Sequence, residues 1–318
     1  MDRDLPVRVL FLGTPAFAVP TLHALLASRH QVVGILTRRD RPAGRSTRPL
    51  PSPVKSAALA ASLPLLQPAR VNSEPTYAAI RALEPEVAVV VAFGCLLSPQ
   101  FLALPPRGCV NVHASILPAY RGAAPIQWAV AHAEAETGVT TMQMDAGLDT
   151  GDLLLAARVP IGPEETAAEL AERLAQLGAR VLVETLDALD GGAVTPRPQP
   201  LACVSYAPAL DRGDARIAWD WSAARIAALV RGMQPWPIAH AETPRGPLQV
   251  WRASPLTPST EGGMTTGEVL ELRDRQVIVA CGERSRLGLQ EVQPRGRRRM
   301  SAADAWNGRF LRAGDRLA

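Results

Sequence analysis

The sequence has few of the side chains that build disulfide frameworks and metal sites. Its four cysteines are far apart and form no Cys-x-x-Cys pair, which disfavours a disulfide-stabilised secreted domain and a thiol redox motif. Three of them lie in apolar, strand-like runs, where we expect buried, reduced thiols. The five histidines show no His-x-x-x-His or Cys/His spacing, so we expect no metal site.

Long apolar runs are also absent. No run approaches the ~20 residues that a membrane-spanning helix needs. The acidic start, Met1-Asp2-Arg3-Asp4, is unlike the basic start of a secretory signal peptide. We therefore expect a cytoplasmic protein that does not contact membranes. Because 318 residues exceed the ~100–200 residues of one ordinary domain, we also expect two domains.

Lysine is nearly absent, since Lys55 is the only one and arginine carries the positive charge. The net charge of +4 is unevenly distributed. Residues 211–318 contain 17 arginines and 12 acidic side chains, whereas residues 1–210 contain 17 basic and 18 acidic ones. A positive C-terminal third suits a polyanionic partner, although an ordinary solvated surface explains so small a surplus equally well.

Hydrophobic periodicity predicts strands that alternate with helices in the first 190 residues. The predicted strands are Val7–Leu12, Val32–Leu36, Leu65–Leu66, Val87–Ala92, Cys109–His113 and Gly138–Met144. The predicted helices are Ala16–Ser28, Pro53–Ala61, Thr76–Leu83, Ala123–Ala133 and Glu165–Leu189. This alternation is typical of the α/β class, and it predicts a doubly wound, mostly parallel, Rossmann-like sheet over residues 1–190.

The composition changes after residue 190. Residues 191–210 are rich in glycine and proline, which predicts an inter-domain linker. Residues 211–318 contain one amphipathic helix, Ser222–Gly232, with Ser222 as its expected N-cap. Five short strands are also predicted there: Ile238–Glu242, Leu248–Ala253, Gly267–Leu272, Val277–Cys281 and Leu287–Val292. We expect a small closed β-barrel of the OB-like kind that binds nucleic acids.

The first turn of the predicted sheet, Gly13-Thr14-Pro15, lacks two of the three glycines of a dinucleotide-binding fingerprint. Pro15 also has no backbone N–H to offer a phosphate. An NAD-dependent oxidoreductase is therefore disfavoured. A doubly wound sheet still binds its ligands beyond the carboxyl ends of its strands, so we expect the site there.

One predicted strand ends in Asn111-Val112-His113. Residues two apart in a strand project from the same face, so Asn111 and His113 point together. This pair suits acyl transfer, because a carboxamide can donate to a developing oxyanion while an imidazole moves a proton. A histidine at a strand end is more often an ordinary hydrogen-bonded residue, however, so the pair alone leaves both interpretations open.

Three aspartates follow in the glycine-interrupted loop Met144-Asp145-Ala146-Gly147-Leu148-Asp149-Thr150-Gly151-Asp152. Their spacing does not match the calcium-binding loop of an EF-hand, which also needs a terminal glutamate. We expect instead that one carboxylate faces His113 and fixes the tautomer of its ring.

Several motifs point to one family. They are Asn111 to Pro118 (NVHASILP), Tyr120 to Ile126 (YRGAAPI), Gly147 to Asp152 (GLDTGD), Phe11 to Pro15 (FLGTP), Asp40 to Arg45 (DRPAGR), Pro51 to Lys55 (PSPVK) and Pro235-Trp236-Pro237. Together they resemble the folate-dependent formyltransferases over nearly the whole chain. The resemblance implies that Asn111, His113 and Asp149 are catalytic. It also implies that Ser115, Ile116, Leu117 and Pro118 bind the folate.

The resemblance further implies the substrates. A formyl group would pass from 10-formyltetrahydrofolate, without a metal, to the α-amino group of methionine on initiator tRNA. The family's tRNA-contacting loop falls on Arg38–Arg48, where Arg45 matches the arginine that senses the acceptor end. The chain departs from the family pattern at three places: Arg38-Arg39 stand where Gln-Pro is common, Ala114 replaces a glycine, and Ser46-Thr47-Arg48 replace a Gly-Lys-Lys pattern. We expect the protein to be a monomer.

Two clusters of arginine would meet the RNA. Arg41, Arg45 and Arg48 belong to a loop in which Asp40 is the only opposing charge, as expected for contacts with a phosphate backbone. Arg297, Arg298 and Arg299 form a second cluster. Two alternatives stay open: a formyltransferase that acts on an amino-sugar nucleotide, and an RNA-binding protein that merely retains the fold of a folate enzyme. The basic loop disfavours the first and the complete catalytic trio disfavours the second.

Overall fold

The computed structural model describes residues 6–42, 49–256 and 265–318. The strands are β1 Arg8–Gly13, β2 Gln31–Leu36, β3 Arg41–Pro42, β4 Pro49–Leu50, β5 Leu65–Leu66, β6 Val87–Val91, β7 Cys109–His113, β8 Glu136–Gln143, β9 Leu153–Pro160, β10 His240–Thr243, β11 Gly246–Leu256, β12 Val269–Arg273, β13 Gln276–Ala280, β14 Arg286–Pro294 and β15 Met300–Ser301. The α-helices are α1 Val19–Ala27, α2 Pro53–Ala60, α3 Glu74–Arg81, α4 Pro99–Leu102, α5 Pro125–Ala131, α6 Ala167–Asp190, α7 Ala223–Gly232 and α8 Ala302–Asn307.

The N-terminal part of the chain forms a seven-stranded sheet in the order β5-β2-β1-β6-β7-β8-β9. The first five strands in this order pair in parallel, and β8 and β9 then join in antiparallel fashion. The central strand β6 has the sequence Val-Ala-Val-Val-Val, and all five residues are buried, as expected of a strand that is covered on both faces. The predicted α/β class with a mostly parallel sheet is confirmed.

The C-terminal part forms an antiparallel sheet in the order β10-β11-β14-β13-β12, with β15 beside β14. Register shifts near Arg252 interrupt the pairing of β11 with β14, and such bulges let a strand bend. The curled sheet has the character of a small barrel. The last residues connect its two edge strands, because Asp315 accepts a bond from Val269 N and Ala318 exchanges two bonds with Glu242.

The interior of the C-terminal sheet is a single apolar cluster against α7. Ile226 and Val230 on this helix are fully buried beside Val250, Val279 and Leu289 from the strands. Ser222 occupies the N-cap position of α7, as predicted, but its side chain makes no capping bond. Ala223 N donates instead to Ser285 Oγ, at 2.8 Å, so a residue distant in the sequence satisfies the first turn.

The described residues divide into two compact units. The first comprises the described part of 1–125 together with 136–160 and 171–208, and the second comprises 126–135, 161–170 and the described part of 209–318. Two segments from the first 190 residues therefore belong to the same unit as the C-terminal sheet. The linear boundaries expected at residues 190 and 211 stay predictions. Among the described residues, no helix has the length and apolarity needed to span a bilayer.

The expectation that three cysteines are buried is wrong. Cys109 and Cys281 are buried, whereas Cys95 and Cys203 are exposed. Cys95 follows Gly94, whose φ of 71° turns the chain away from β6, and Cys203 ends a short 3₁₀ turn, Leu201–Cys203. An apolar neighbourhood in the sequence does not bury a side chain where the backbone turns at the surface.

Candidate active site

Asn111 and His113 lie on one face of β7, where the parallel part of the sheet ends. Both side chains are buried, with exposures of 8% and 6%, because β7 lies between β6 and β8. Among the described residues, none forms a hydrogen bond with the Asn111 carboxamide. Buried amides nearly always have a partner. The N–H groups of Asn111 are therefore available to a ligand.

The imidazole of His113 has a defined orientation. Its Nε2 lies 2.9 Å from the backbone oxygen of Tyr120. A carbonyl oxygen can only accept a hydrogen bond, so Nε2 carries a proton. In the neutral ring Nδ1 is then the basic nitrogen. Nδ1 faces Asp149 Oδ2 at 3.7 Å, which is beyond hydrogen-bonding distance but close enough for attraction to a charged imidazolium.

Asp149 is held by the backbone of another loop. Its Oδ2 accepts a 2.8 Å hydrogen bond from Gly122 N, and its φ of 52° places it in the left-handed region. Aspartate tolerates this conformation better than most residues. Although β8 ends opposite Val110, the loop that follows carries Asp149 back to His113. The structure thus brings Asn111, His113 and Asp149 together, and it assigns the orientation of the imidazole to Tyr120 O.

The other two aspartates of this loop have different surroundings. Asp145 Oδ1 accepts bonds from Gly147 N at 3.0 Å and from Thr150 Oγ1 at 2.6 Å, so Asp145 shapes the turn itself. The backbone oxygen of Asp152 accepts a bond from Gln143 N. Gly151 has no room for a side chain, since a Cβ there would lie 1.8 Å from Gln143 O. Of the three aspartates in this loop, Asp149 is the one whose carboxylate lies within 4 Å of the His113 ring.

Sequence reasoning missed two residues that support this loop. Gln199 Nε2 donates to the backbone oxygens of Asp149 and Gly151, at 2.9 and 2.8 Å. Gln199 Oε1 accepts from Nε and Nη2 of Arg121, at 3.1 and 2.7 Å. Arg121 lies in a recognised motif, but Gln199 stands between prolines in a segment predicted to be a linker. Its residue type and spacing carry no signal of this role.

The proposed folate segment follows directly after β7. Ser115 is fully buried, and its hydroxyl donates to Ala119 O at 2.6 Å. Thr140 Oγ1 donates to Ser115 O and accepts from Leu117 N, so the segment is fastened to β8. Pro118 is buried as well, which leaves Ile116 as the partly exposed side chain. The segment can therefore offer backbone groups and an apolar side chain more readily than the serine hydroxyl.

The loop that contains the first arginine cluster begins at Arg38, whose Nη1 donates to Gly94 O at 2.8 Å. Asp40 is engaged by Lys55 Nζ at 2.6 Å and by Gln67 Nε2 at 2.8 Å. These hydrogen bonds hold the pKa of Asp40 below its ordinary value. Its negative charge is therefore paired with the positive charge of Lys55. Arg41 is exposed. Arg45 and Arg48 lie outside the described residues.

The second cluster lies beyond β14. Arg297 and Arg298 are exposed. Arg299 forms an ion pair with Glu291 and stacks over the ring of Trp251, with the guanidinium carbon 4.7 Å from its centroid. Arg299 is thus held in place by its own unit, whereas its two neighbours extend into solvent.

No group of three or more histidine, cysteine, aspartate or glutamate side chains among the described residues could hold a metal ion. Burial makes the thiols of Cys109 and Cys281 unreactive. Burial raises the pKa values of Cys109 and Cys281 to about 12, and a thiol that keeps its proton is a poor nucleophile and a poor ligand.

Comparison with known proteins identifies the class to which this fold and site belong. Residues 7–186 match the family model "Formyl transferase", and residues 209–309 match "Formyl transferase, C-terminal domain". These two matches account for most of the chain, which therefore belongs to the formyl transferase family.

Similar proteins narrow the class. A methionyl-tRNA formyltransferase from Solibacter usitatus is 47% identical over 311 residues, which cover 98% of this chain and 98% of that protein. A methionyl-tRNA formyltransferase from Symbiobacterium thermophilum is 44% identical over 312 residues, covering 98% of this chain and 95% of that protein.

Solved structures show the same fold in more distant proteins. An N-formyltransferase from Helicobacter canadensis, in complex with folinic acid and dTDP-3-aminofucose, has a TM-score of 0.66 at 15% identity and covers 89% of this chain and 99% of its own. HypX from Aquifex aeolicus in complex with tetrahydrofolic acid has a TM-score of 0.62 at 18% identity, and it covers 96% of this chain and 48% of its own.

Proposed function

We propose that the protein transfers the formyl group of 10-formyltetrahydrofolate to the α-amino group of methionine on initiator tRNA. The observation that carries the chemistry is the carboxamide of Asn111, which has no hydrogen-bond partner in the described part of the chain and lies on the same strand face as His113, with Asp149 3.7 Å from the imidazole. The acceptor is supported by the 47% identity, over nearly the full chain, to a methionyl-tRNA formyltransferase.

The reaction needs one new bond, one broken bond and the transfer of a proton. The neutral amine attacks the formyl carbon, and a C–N bond forms as the carbonyl oxygen becomes an oxyanion. Asn111 donates a hydrogen bond from its side-chain N–H to this oxyanion. His113 Nδ1 takes the proton that the attacking nitrogen loses, and Asp149 stabilises the resulting imidazolium. The bond between the carbon and N10 of the folate then breaks, and N10 receives the proton from His113.

The residues of the folate segment would hold the donor beside this pair. Ser115, Ile116, Leu117 and Pro118 continue directly from His113. Because Thr140 fastens the segment to β8, its backbone is already ordered before a ligand binds. A rigid site of this kind lowers the entropic part of the barrier, since both reactants are oriented in one place.

The arginine clusters would bind the phosphates of the tRNA. Arg41, Arg45 and Arg48 in one loop, and Arg297 and Arg298 in the other unit, would supply the positive charge that sequence-independent phosphate contacts require. Arg299 is expected to contribute less, because Glu291 already opposes its charge.

We further propose that the protein acts as a monomer in the cytoplasm.

A comparison of acceptors tests this function. Purified protein and 10-formyltetrahydrofolate are incubated with methionyl initiator tRNA or with a UDP-amino sugar, and the rate of formyl incorporation is measured. The proposal predicts a kcat/KM at least a hundredfold higher for the tRNA. A higher kcat/KM for the sugar would assign the chain to the alternative, and the absence of transfer to either acceptor would contradict formyl transfer altogether.

A further inference from the structure

Gln199 makes four hydrogen bonds that connect the two loops around His113. Its exposure is only 8%, and a buried carboxamide has two donor hydrogens and two acceptor lone pairs to satisfy. The donors go to Asp149 O and Gly151 O, and the acceptors take two N–H groups of Arg121. The amide is therefore fully used, although Gln199 itself lies outside the helices and strands.

The orientation of this amide is unambiguous. A guanidinium can only donate and a backbone carbonyl can only accept. If the amide were reversed, its NH2 group would face the donors of Arg121 and its oxygen would face two carbonyl oxygens. All four contacts would then be repulsive, so the observed orientation is the one the surroundings permit.

Each loop that Gln199 joins holds one side of the His113 ring. The first loop contains Tyr120, whose backbone oxygen binds His113 Nε2, followed by Arg121 and by Gly122, whose N–H binds Asp149 Oδ2. The second loop contains Asp149 itself. Gln199 holds the backbone of Asp149 directly, and through the Arg121 side chain it also supports the loop whose Gly122 N–H binds the Asp149 carboxylate, so both contacts position Asp149.

The backbone of Asp149 needs such support. Its φ of 52° lies in the left-handed region, which aspartate tolerates better than most residues but which still costs free energy unless the surroundings enforce it. The hydrogen bond from Gln199 Nε2 to the oxygen of this same residue supplies the constraint. Arg121 adds to it, because the residue is buried at 5% exposure and its guanidinium is fixed by the same amide.

We propose that Gln199 is a positioning residue for the formyl-transfer step, which acts through Asp149 and does not touch either substrate. This inference rests on the proposed function for its kinetic test. The segment from Gly191 to Leu210, expected to be a passive linker, would then supply a component of the active site. It would do so through Gln199, in addition to pairing with the first loop through Ser205 and Ala207.

The test compares Gln199→Met with a matched control. Methionine has a similar size but makes none of the four hydrogen bonds. The control is Gln234→Met, because Gln234 Nε2 also donates to two backbone oxygens, those of Val230 and Trp251, within the second unit. We expect kcat for Gln199→Met to fall by about tenfold to a hundredfold with KM for both substrates nearly unchanged, since small displacements of catalytic groups cost this much. Gln234→Met should keep its kcat within about twofold.

A double-mutant cycle separates positioning from a general loss of structure. If Gln199 acts through Asp149, then adding Gln199→Met to Asp149→Asn should lower the residual kcat by less than about threefold. Independent losses that multiply would overturn the inference, and so would a wild-type kcat in the single variant Gln199→Met.

Hydrogen exchange gives a readout that does not depend on activity. In Gln199→Met, peptides that cover residues 145–152 and Gly122 should exchange their amide hydrogens at least tenfold faster than in the wild type, and Gln234→Met should leave them unchanged. Unchanged exchange in Gln199→Met would contradict the positioning role. If the wild type transferred no formyl group while the exchange result held, the proposed function would fail and the structural role of Gln199 would stand.

Discussion

Replacement of Asn111 by alanine should separate activity from stability. Asn111 is 8% exposed and its carboxamide has no hydrogen-bond partner among the described residues, so its removal leaves no other group unsatisfied. Solvent still reaches the amide atoms, so they can bond to water and their loss costs the folded state little. We therefore expect the free energy of unfolding of Asn111→Ala to stay within about 1 kcal/mol of the wild type. Its kcat should fall by about a hundredfold to a thousandfold, as the loss of one oxyanion donor costs about 2.7–4 kcal/mol.

Val110→Ala is the matched control on the same strand. Val110 points to the opposite face and is fully buried, so the loss of two methyl groups should destabilise the protein by about 2 kcal/mol. For a unit of this size such a loss lowers Tm by about 4–8 °C. Its kcat should stay within about twofold of the wild type at a temperature where the variant is folded.

The assay is formyl transfer under saturating donor and acceptor, with Tm measured on the same samples. The two variants should show opposite patterns: one is stable and nearly inactive, and the other is unstable and active. If Asn111→Ala kept more than a tenth of the wild-type kcat, the oxyanion role would be wrong. If Val110→Ala lost as much kcat as Asn111→Ala, the strand would matter only as structure.

Three further results are expected. Arg45→Ala should raise KM for charged tRNA several-fold and leave folate affinity unchanged, and an unaltered rate at limiting tRNA would remove its role. Since burial holds the pKa values of Cys109 and Cys281 at about 12, a thiol reagent at pH 8 should modify only the two exposed cysteines quickly; rapid reaction of all four would contradict this. Burial also lowers the pKa of His30 despite the opposing charge of Asp187, so the folded protein binds a proton there less readily than the unfolded chain. The folded state should therefore lose stability as the pH falls below about 6.5. His30→Gln should make the decrease in Tm between pH 7.5 and 5.5 smaller. A decrease identical to that of the wild type would show that His30 does not cause it.

The sequence predicts the parallel part of the sheet well because its strands are continuous apolar runs. β6 is buried at every residue and β1 at every residue except Arg8, and such strands leave an unmistakable pattern between helices. β9 is missed for the opposite reason. It is the edge strand, its residues alternate between partly buried and exposed, and its Ala156-Ala157-Arg158 centre has little β-propensity.

The sequence predicts those parts of the candidate site whose residues are close together in the chain, and it does not predict those that come from separate segments. Asn111 and His113 share a face because they are two apart in one strand, which the sequence alone predicts. The proximity of Asp149 cannot be inferred from spacing, since its loop departs beside Val110 and then returns to His113. Only the family resemblance singles out Asp149 among the three aspartates of its loop.

Interactions between distant segments were beyond local patterns. Gln199 is 78 positions away from Arg121 and about 50 away from Asp149. Ser285 similarly caps a helix that begins 62 positions earlier. Some of these contacts join a side chain to a backbone group and others join two side chains. Neither kind of contact produces a periodic or compositional pattern in the sequence.

The most direct test of the central claim is the rate of a single turnover in His113→Asn. Protein in excess is loaded with 10-formyltetrahydrofolate and mixed with methionyl initiator tRNA, while the affinity of each substrate is measured separately. We predict that formyl transfer slows by about a hundredfold or more, with both affinities within about twofold of the wild type. A single-turnover rate close to that of the wild type would contradict the assignment of proton transfer to His113, and with it the proposed chemistry at the end of β7.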